Sequence, residues 1–285
     1  MPRILLFFAL LAVSAAVRAE GYITRMLNKP VPGGVAVVQL GQAPQAPVAH
    51  LGERRVMVLR EASGEWIAVA GISLDTPPGS TQTLTVEQDG ARHGLDFRVG
   101  SKKYVAQHIT VKNPQHVNPS PENLKRFERE RDEQQAAYRR FSPGLPSNVM
   151  LDRPVPGRLS SPFGLRRFFN GEPRNPHSGL DFASPAGTPV KAPAAGKVIL
   201  VGDYFFNGKT VFVDHGQGFI SMFCHLSEIG VKVGQTLARG ETLGKVGATG
   251  RATGPHLHWN VSLNDARVDP AIFIGAFDDS QASSP

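Results

Sequence analysis

The chain contains a single cysteine, Cys224, among 285 residues. One thiol excludes an intramolecular disulfide, and the lack of any cysteine near the amino terminus excludes lipid attachment behind a leader peptide. Cys224 lies on the apolar side of a predicted strand over 219–225, together with Met222 and Ile220. This placement favours a buried structural side chain over a catalytic nucleophile.

Several functional motifs are also missing. There is no H-E-x-x-H sequence, so no glutamate base of that metallopeptidase type is implied. No Gly-Lys-Ser/Thr follows the turn Gly247-Ala248-Thr249-Gly250, which excludes a phosphate-binding loop there. No basic stripe is interleaved with aromatic residues, so nucleic acid is not expected as a partner. The net charge of +7 fits attraction to an anionic cell wall or membrane surface, and solubility explains it equally well.

The most apolar run of the chain lies at its amino terminus. Arg3 is followed by the apolar stretch 4–13, and Val17-Arg18-Ala19 supplies small residues before a cleavage site. These features predict a secretory signal peptide over 1–19, with a signal anchor as the alternative, although the run is too short to span a bilayer comfortably. No later segment has transmembrane character. We therefore expect secretion across the inner membrane, into the periplasm where the source has an outer membrane.

Residues 20–112 contain short β-rich runs separated by turn signals such as Pro77-Pro78-Gly79 and Asp89-Gly90. This spacing predicts a β-sandwich-like N-terminal domain of about six or seven strands. The candidate strands are Gly34–Leu40, Arg54–Arg60, Trp66–Ile72, Thr81–Val86, Gly94–Val99 and Tyr104–Val111.

Residues 113–150 are predicted to form a short linker with one helix. Ser120 suits the helix cap, Pro121 the first helical position and Glu122 the positive end of the helix dipole. A thin apolar stripe favours docking on a neighbouring domain; its members are Leu124, Phe127, Ala137, Tyr138 and Phe141. A second domain is expected over 151–277, followed by a disordered tail over 278–285.

Four histidines and one aspartate in the last third of the chain form an ordered set. The set consists of His177 and Asp181 in H-S-G-L-D, His225 in F-C-H-L-S, and His256 and His258 in G-P-H-L-H-W. Two neutral imidazoles and a carboxylate are a common ligand set for catalytic Zn²⁺, with the fourth position left for water. The other two histidines then remain for proton transfer. The pattern indicates a hydrolytic zinc site.

Strand periodicity brings these side chains toward one groove. Residues two apart on a strand share a face, so His256 and His258 both face a cleft while Leu257 and Trp259 face a core. The same alternation places His225 on the face opposite Cys224. The histidines of two predicted strands therefore meet at one surface.

Further stretches around this set match one family: Phe163-Gly164-Leu165-Arg166, His177 to Ala183, Gly187-Thr188-Pro189-Val190, Ala192 to Gly196, Val231 to Gln235, and the turn 247–255 leading into His256. With them, the segment from about Ser161 to Ile274 resembles the catalytic domain of the lysostaphin-type (LytM-like) zinc metallopeptidases, which cut peptidoglycan cross-bridges and stem peptides. The resemblance implies an antiparallel β catalytic domain with one Zn²⁺ per chain. It implies three zinc ligands, His177, Asp181 and His258, and a catalytic pair beside the bound water, His225 and His256.

Asn260 departs from the family pattern, because many relatives carry a glutamate after the H-x-H aromatic. We expect this change to alter strand or neighbouring contacts and to leave the five key positions untouched. Tyr204, Phe205 and Phe206 are expected on a hairpin loop, where they either line a substrate groove or pack ordinarily. The remaining histidines lack metal-ligand spacing and are predicted to be surface or packing residues; they are His50, His93, His108, His116 and His215.

The whole chain is thus predicted to be mainly β and to be an exported zinc endopeptidase that acts on peptidoglycan peptides. One alternative is a catalytically silent regulator of other wall hydrolases, which the complete set of five side chains disfavours. Another is a latent enzyme whose N-terminal domain or linker covers the cleft. The sequence leaves open whether a D-alanyl cross-link to a diamino acid or a glycine bridge is cut, and it leaves the oligomeric state open.

Overall fold

A computed structural model describes residues 21–110 and 118–283. The predicted signal peptide, the first part of the predicted linker with His116, and residues 284–285 lie outside the described residues. Within the described part, no helix reaches the length and hydropathy that crossing a membrane requires.

The N-terminal region consists of a short helix and a run of strands: α1 (Tyr22–Leu27), β1 (Val35–Gly41), β2 (Val48–Leu51), β3 (Arg54–Arg60), β4 (Trp66–Gly71), β5 (Thr81–Gln88), β6 (Ala91–Arg98), β7 (Ser101–Lys102) and β8 (Ala106–Ile109). Six of these strands form one antiparallel sheet in the order β1-β4-β3-β2-β5-β6. Side chains from all six strands pack into one hydrophobic cluster, so the sheet curls around its own core. The mainly β prediction is confirmed, while α1 and β2 were not predicted because both are very short.

Strand β8 does not pair with the N-terminal sheet. It pairs in parallel with β10 (Arg166–Phe169), with Ala106 opposite Arg166 and Ile109 opposite Phe169. The predicted strand over 104–111 therefore exists as a shorter strand that joins the C-terminal region. Nothing local in the sequence specifies this pairing, because the two strands lie far apart along the chain.

The C-terminal region contains a ten-stranded sheet. Its path is β17-β14-β15-β16-β19-β12-β9, with β13, β18 and β20 paired beside it. The remaining strands of the chain are β9 (Arg158–Ser161), β11 (Glu172–Pro173), β12 (Leu180–Ala183), β13 (Pro189–Lys191), β14 (Gly196–Tyr204), β15 (Gly208–Gly216), β16 (Phe219–Ile229), β17 (Thr236–Leu237), β18 (Thr242–Val246), β19 (His256–Leu263), β20 (Ala266–Val268) and β21 (Ala282–Ser283). The predicted antiparallel C-terminal fold is confirmed in this sheet.

The predicted linker helix is α2 (Pro121–Tyr138). The Ser120 side chain accepts a hydrogen bond from the Asn123 N–H, as an N-cap should. At the other end, Tyr138 is buried against Phe212 and Cys224 on the outer face of the C-terminal sheet. Docking of the helix on this region is confirmed, although Leu124 of the predicted stripe stays 45% exposed.

Part of the segment predicted as a tail over 278–285 forms hydrogen-bonded structure within the described residues. A 3₁₀ turn forms over Asp279–Gln281, and β21 pairs with β7 in antiparallel register. The segment has few apolar residues, so composition alone gave no reason to expect order. Backbone pairing and the 2.9 Å ion pair between Lys29 Nζ and Asp279 Oδ2 hold it against the N-terminal region.

The two sheets are tied together by polar side chains of the C-terminal region. Gln217 Oε1 accepts a hydrogen bond from the Val58 N–H at 2.8 Å, and Asn264 bonds to both backbone groups of Gly71. One hydrophobic cluster also runs through both regions. These contacts join β3 and the end of β4 to the C-terminal region.

Candidate metal centre and active-site cleft

Three side chains converge on one point of the C-terminal sheet. Asp181 on β12 is the register partner of His258 on β19, and Asp181 Oδ1 lies 2.7 Å from His258 Nδ1. His177 precedes β12, and its Nε2 lies 3.0 Å from Asp181 Oδ1 and 2.9 Å from His258 Nδ1. All three residues are buried. They form the one group of potential metal ligands found among the described residues.

The hydrogen-bonding state of His177 shows that this group fits a metal ion. His177 Nδ1 lies 2.7 Å from the Pro162 carbonyl oxygen, so Nδ1 carries the hydrogen and the neutral ring presents a lone pair at Nε2. Burial lowers the pKa of His177 to about 4, which keeps the ring neutral. If His258 Nδ1 carried a hydrogen, it could donate to His177 Nε2 or to Asp181 Oδ1. His177 Nε2 and Asp181 Oδ1 would still face each other as two acceptors. A cation at the centre removes that repulsion. Nitrogen and carboxylate oxygen are also donors that zinc prefers.

The H-S-G-L-D segment is clamped to β19. A Cβ atom on Gly179 would lie 2.4 Å from the Trp259 carbonyl oxygen and 2.9 Å from His258 Nε2, so only glycine fits without displacing one of them. Asn260 Nδ2 donates to both the backbone oxygen and the hydroxyl of Ser178, each at 2.9 Å. Asn260, the departure noted in the sequence, therefore holds the loop that carries His177.

Arg167 is a functional side chain that the sequence analysis missed. Its Nη2 lies 3.4 Å from Asp181 Oδ2, so the aspartate offers one oxygen to the centre and the other to a guanidinium. Burial lowers the pKa of Arg167, and the Asp181 carboxylate opposes that shift. For Asp181, burial acts to raise the pKa, but the nearby imidazoles hold it well below its usual range. The one available sequence signal was strand alternation, which places Arg167 on the same face of β10 as the buried Phe169.

His225 and His256 form a second pair beside the centre, with ring centroids 4.8 Å apart. His225 Nδ1 lies 2.8 Å from the Thr249 carbonyl oxygen, and His256 Nδ1 lies 2.8 Å from the Gly254 carbonyl oxygen. Each Nδ1 therefore carries a hydrogen, and each neutral ring has its lone pair at Nε2. Burial and the neighbouring His258 and His256 lower the pKa of His225 to about 3.

The backbone of His225 is held in the left-handed region, with φ of 62°. Pairing of β16 with β19 ends at Cys224 opposite His258, and from Leu226 onward β16 pairs with β18. A left-handed residue that is not glycine costs roughly 1–3 kcal/mol and is typical of functional sites. The left-handed residue turns the imidazole to the face of the sheet that carries His258 and its register partner Cys224. The prediction that His225 lies opposite Cys224 was therefore wrong, because the bulge breaks the alternation, whereas the predicted burial of Cys224 is confirmed.

The centre opens into a cavity of about 750 Å³. Asp181, His225, His256 and His258 line it, so the structure brings all the predicted site residues to one place, with His177 buried directly behind them. The aromatic hairpin residues divide between the two predicted alternatives: Phe206 lines the cavity, whereas Phe205 packs against the Phe206 ring and Tyr204 is buried. Strand β8 adds Gln107 and Ile109 to the wall.

The other described histidines lie outside the metal-ligand group. His215 is buried between the Ala195 carbonyl oxygen and the Ser221 hydroxyl, each 2.9 Å from a ring nitrogen. His108 stacks on Phe168 with centroids 4.7 Å apart. These contacts agree with their predicted packing roles.

Comparison with known proteins finds two family models on the chain. Peptidase family M23 matches residues 175–270, which contain all five site residues. The N-terminal domain of peptidase family M23 matches residues 28–102, which cover the curled N-terminal sheet. A solved structure from Pseudomonas aeruginosa assigned to peptidase M23 is 65% identical, with a TM-score of 0.78, and the match covers 90% of this chain and 100% of that one.

Curated relatives match over the C-terminal region. The peptidoglycan DD-endopeptidase ShyA of Vibrio cholerae is 41% identical over 113 residues, which are 39% of this chain and 26% of ShyA. The DD-carboxypeptidase/endopeptidase Mpg of Neisseria meningitidis is 40% identical over 113 residues, which are 40% of this chain and 26% of Mpg. The chain thus spans about a quarter of the length of these relatives.

Proposed function

Because this chain belongs to peptidase family M23, we propose that it is an exported, zinc-dependent endopeptidase that hydrolyses peptide cross-links of peptidoglycan. The observation that carries the proposal is the convergence of two imidazole nitrogens and one carboxylate oxygen within 3.0 Å of one another, beside a second histidine pair. The substrate class is supported by the names of the relatives, which are peptidoglycan DD-endopeptidases. A leader peptide and a wall substrate together favour the periplasm or the cell surface as its location.

In this proposal His177 Nε2, Asp181 Oδ1 and His258 Nδ1 hold one Zn²⁺ per chain. A zinc ion with three such ligands lowers the pKa of water to about 7 and polarises a carbonyl group. Pro162 fixes the tautomer of His177 through its carbonyl oxygen, and Arg167 orients Asp181 from the far side. Such supporting contacts keep ligand atoms aimed at the metal.

The histidine pair supplies proton transfer. Because Nδ1 of each ring donates to a backbone carbonyl, Nε2 accepts a proton in the neutral ring and becomes a donor once it has gained one. One Nε2 takes a proton from the attacking water and passes it to the leaving amine. The other ring, once it has taken a proton from solvent, donates a hydrogen bond from Nε2 to the oxygen on which negative charge develops. The two roles need only His225 and His256.

We further propose that residues 20–112 and 151–277 are the two domains, joined by 113–150. The cleft is then shared between them, since β8 contributes Gln107 and Ile109 to its wall. Any regulatory movement of the N-terminal domain would act directly on the cleft through this strand, as a latent enzyme would require. A silent regulator is disfavoured because the five site residues are present and correctly grouped.

Zinc-loaded protein and isolated sacculi provide the test. Sacculi cross-linked from D-alanine to a diamino acid and sacculi bridged by glycines would be digested separately, and the released fragments identified by mass spectrometry. We expect cross-link cleavage in at least one wall type, and none with His225→Ala. A zinc-loaded chain that releases no fragment from either wall would contradict the proposed function.

A further inference from the structure

A second cavity lies beside the metal centre, between helix α2 and the C-terminal sheet. Its volume is about 200 Å³, and it shares His258, Ser178 and Asn207 with the active-site cleft as lining residues. Side chains of α2 also line it, among them Gln134 and Tyr138. The proposed ligand His258 therefore borders both spaces.

Asn260 lines this second cavity from β19 and is almost completely buried, with 1% of its surface exposed. Its Nδ2 donates to the carbonyl oxygen and to the hydroxyl of Ser178, each at 2.9 Å. A carbonyl oxygen can only accept, so these contacts turn the amide nitrogen toward Ser178 and leave Oδ1 for another partner. Oδ1 is buried and has no hydrogen-bond partner among the described residues. A buried amide oxygen of this kind is costly unless a donor reaches it.

The ring of His258 offers a donor. Within the described part of the chain, its hydrogen bonds all involve Nδ1, the atom that faces His177 and Asp181. When Nδ1 gives its lone pair to a metal ion, the hydrogen of the neutral ring is on Nε2. A ligating histidine ordinarily donates this second N–H to an acceptor, which fixes the orientation of the ring. Nε2 of His258 is thus a donor that needs an acceptor.

The donor and the acceptor lie close to the same loop. His258 and Asn260 are two apart on β19 and share a face of the strand. Asn260 bonds to Ser178, while a Cβ atom on the next residue, Gly179, would lie 2.9 Å from His258 Nε2. A water molecule both accepts and donates, and the cavity is large enough to hold one. The Ser178 hydroxyl, which accepts from Asn260 and keeps its own hydrogen, is a third polar group beside it.

We propose that Asn260 is a positioning residue for the metal ligand His258 and acts through one water bound in the second cavity. The water accepts from His258 Nε2 and donates to Asn260 Oδ1. The inference rests on the proposed zinc ligands and goes beyond them. Nδ2 of the amide holds the loop that carries His177, and Oδ1 holds the ring of His258. One amide therefore aligns two ligands that come from different segments of the chain.

Zinc affinity of the full chain, measured by chelator competition, separates the two contacts of Asn260. Asn260→Leu removes the donor and the acceptor at similar volume, and loss of such a supporting contact lowers metal affinity by about 10- to 100-fold. We expect that fall. Asn260→Asp loses the donor to Ser178 but keeps an oxygen for the water, so it should bind zinc more tightly than Asn260→Leu. Equal losses in the two variants would show that Asn260 only holds Ser178, and would overturn the proposal.

Ser262 provides the matched control on the same strand. It is buried, its Oγ has no hydrogen-bond partner among the described residues, and it does not line the second cavity. Ser262→Ala should leave zinc affinity unchanged. A loss as large as that of Asn260→Leu would show that any change to a buried polar group of β19 disturbs the centre, and the specific role of Asn260 would then be wrong.

A crystal structure of the zinc-loaded chain tests the water directly and needs no variant. We expect one ordered water within about 3.2 Å of both His258 Nε2 and Asn260 Oδ1. A structure in which no water joins these two atoms, or in which Nε2 donates to another group, would overturn the proposal. Neither measurement depends on turnover. A chain that passes both and still releases nothing from sacculi would therefore count against the proposed function alone.

Discussion

Asp181 and His258 face each other across strands β12 and β19, with Oδ1 only 2.7 Å from Nδ1. Because both atoms are proposed ligands, Asp181→Ala and His258→Ala should each leave two protein ligands. We expect both variants to lose most bound zinc and all measurable hydrolysis. Metal analysis of the purified proteins, paired with fragment release from sacculi, measures both effects. Stoichiometric zinc in either variant would contradict the ligand assignment.

The catalytic pair should fail in a different way. His225→Ala and His256→Ala keep the three proposed ligands but remove an Nε2 needed for proton transfer or oxyanion stabilisation. Turnover should fall by about 10²- to 10⁴-fold while zinc stays near stoichiometric. The same two assays apply. A zinc-free His225→Ala protein, or a fully active one, would defeat this division of roles.

Gly179 is expected to tolerate no side chain. A Cβ atom there would press on the Trp259 carbonyl oxygen and on His258, and the backbone oxygen cannot rotate away. Gly179→Ala should therefore destabilise the protein by about 1–3 kcal/mol and weaken zinc binding. Thermal unfolding and a chelator competition measure the two effects. Gly144→Ala is the control, because nothing lies within 4 Å of the corresponding position; equal zinc affinity in both variants would contradict the argument.

The sequence predicted the chemistry of the site because strand alternation and residue types are local properties. His256 and His258 share a face by spacing alone, and the structure places Asp181 and Ala183 directly opposite them. The left-handed backbone of His225 could not be predicted from the sequence, because the residue at this position is not a glycine. Alternation alone would place His225 on the face opposite Cys224 and His258, and the bulge at His225 brings its ring to their face instead.

The walls of the cleft could not be predicted, because distant segments build them. Strand β8 reaches β10 across more than fifty residues, and the sequence pattern of neither strand specifies a parallel partner. Arg167 was likewise not singled out in the sequence, and its position on β10 brings it to Asp181. The pairing of β21 with β7 could not be predicted for the same reason, because the two strands lie far apart along the chain.

His215 should make the stability of the protein depend on pH. Burial lowers the pKa of its ring, whose nitrogens bond to Ala195 and Ser221. The unfolded ring binds a proton near pH 6.5 and the folded ring does not, so stability is present above that pH and is lost as the pH falls below it. The contribution is at most about 1.4 kcal/mol per pH unit. His215→Gln should flatten the dependence in urea unfolding between pH 7.5 and 5, with a chelator present throughout; an unchanged slope would contradict the prediction.

Helix α2 should support catalysis without touching the metal. Phe127 packs its ring edge-on against Phe206, with centroids 5.0 Å apart, and Glu130 Oε2 accepts a hydrogen bond from the Phe205 N–H at 2.8 Å. These contacts hold the hairpin that forms one wall of the cleft. An aromatic pair contributes about 0.5–1.5 kcal/mol, so Phe127→Ala should lower kcat/KM by about 3- to 10-fold through a looser wall.

Zinc content should not change in Phe127→Ala, because the proposed ligands lie on β12, on β19 and in the loop before β12. Leu124→Ala on the same helix is the matched control, since Leu124 is 45% exposed and should have no effect on turnover. Metal analysis and peptide hydrolysis are measured on both variants. Full activity in Phe127→Ala would show that the hairpin keeps its position without this contact from the helix. Loss of zinc would show that α2 stabilises the whole C-terminal fold, and the specific role of the Phe127–Phe206 contact would then be wrong.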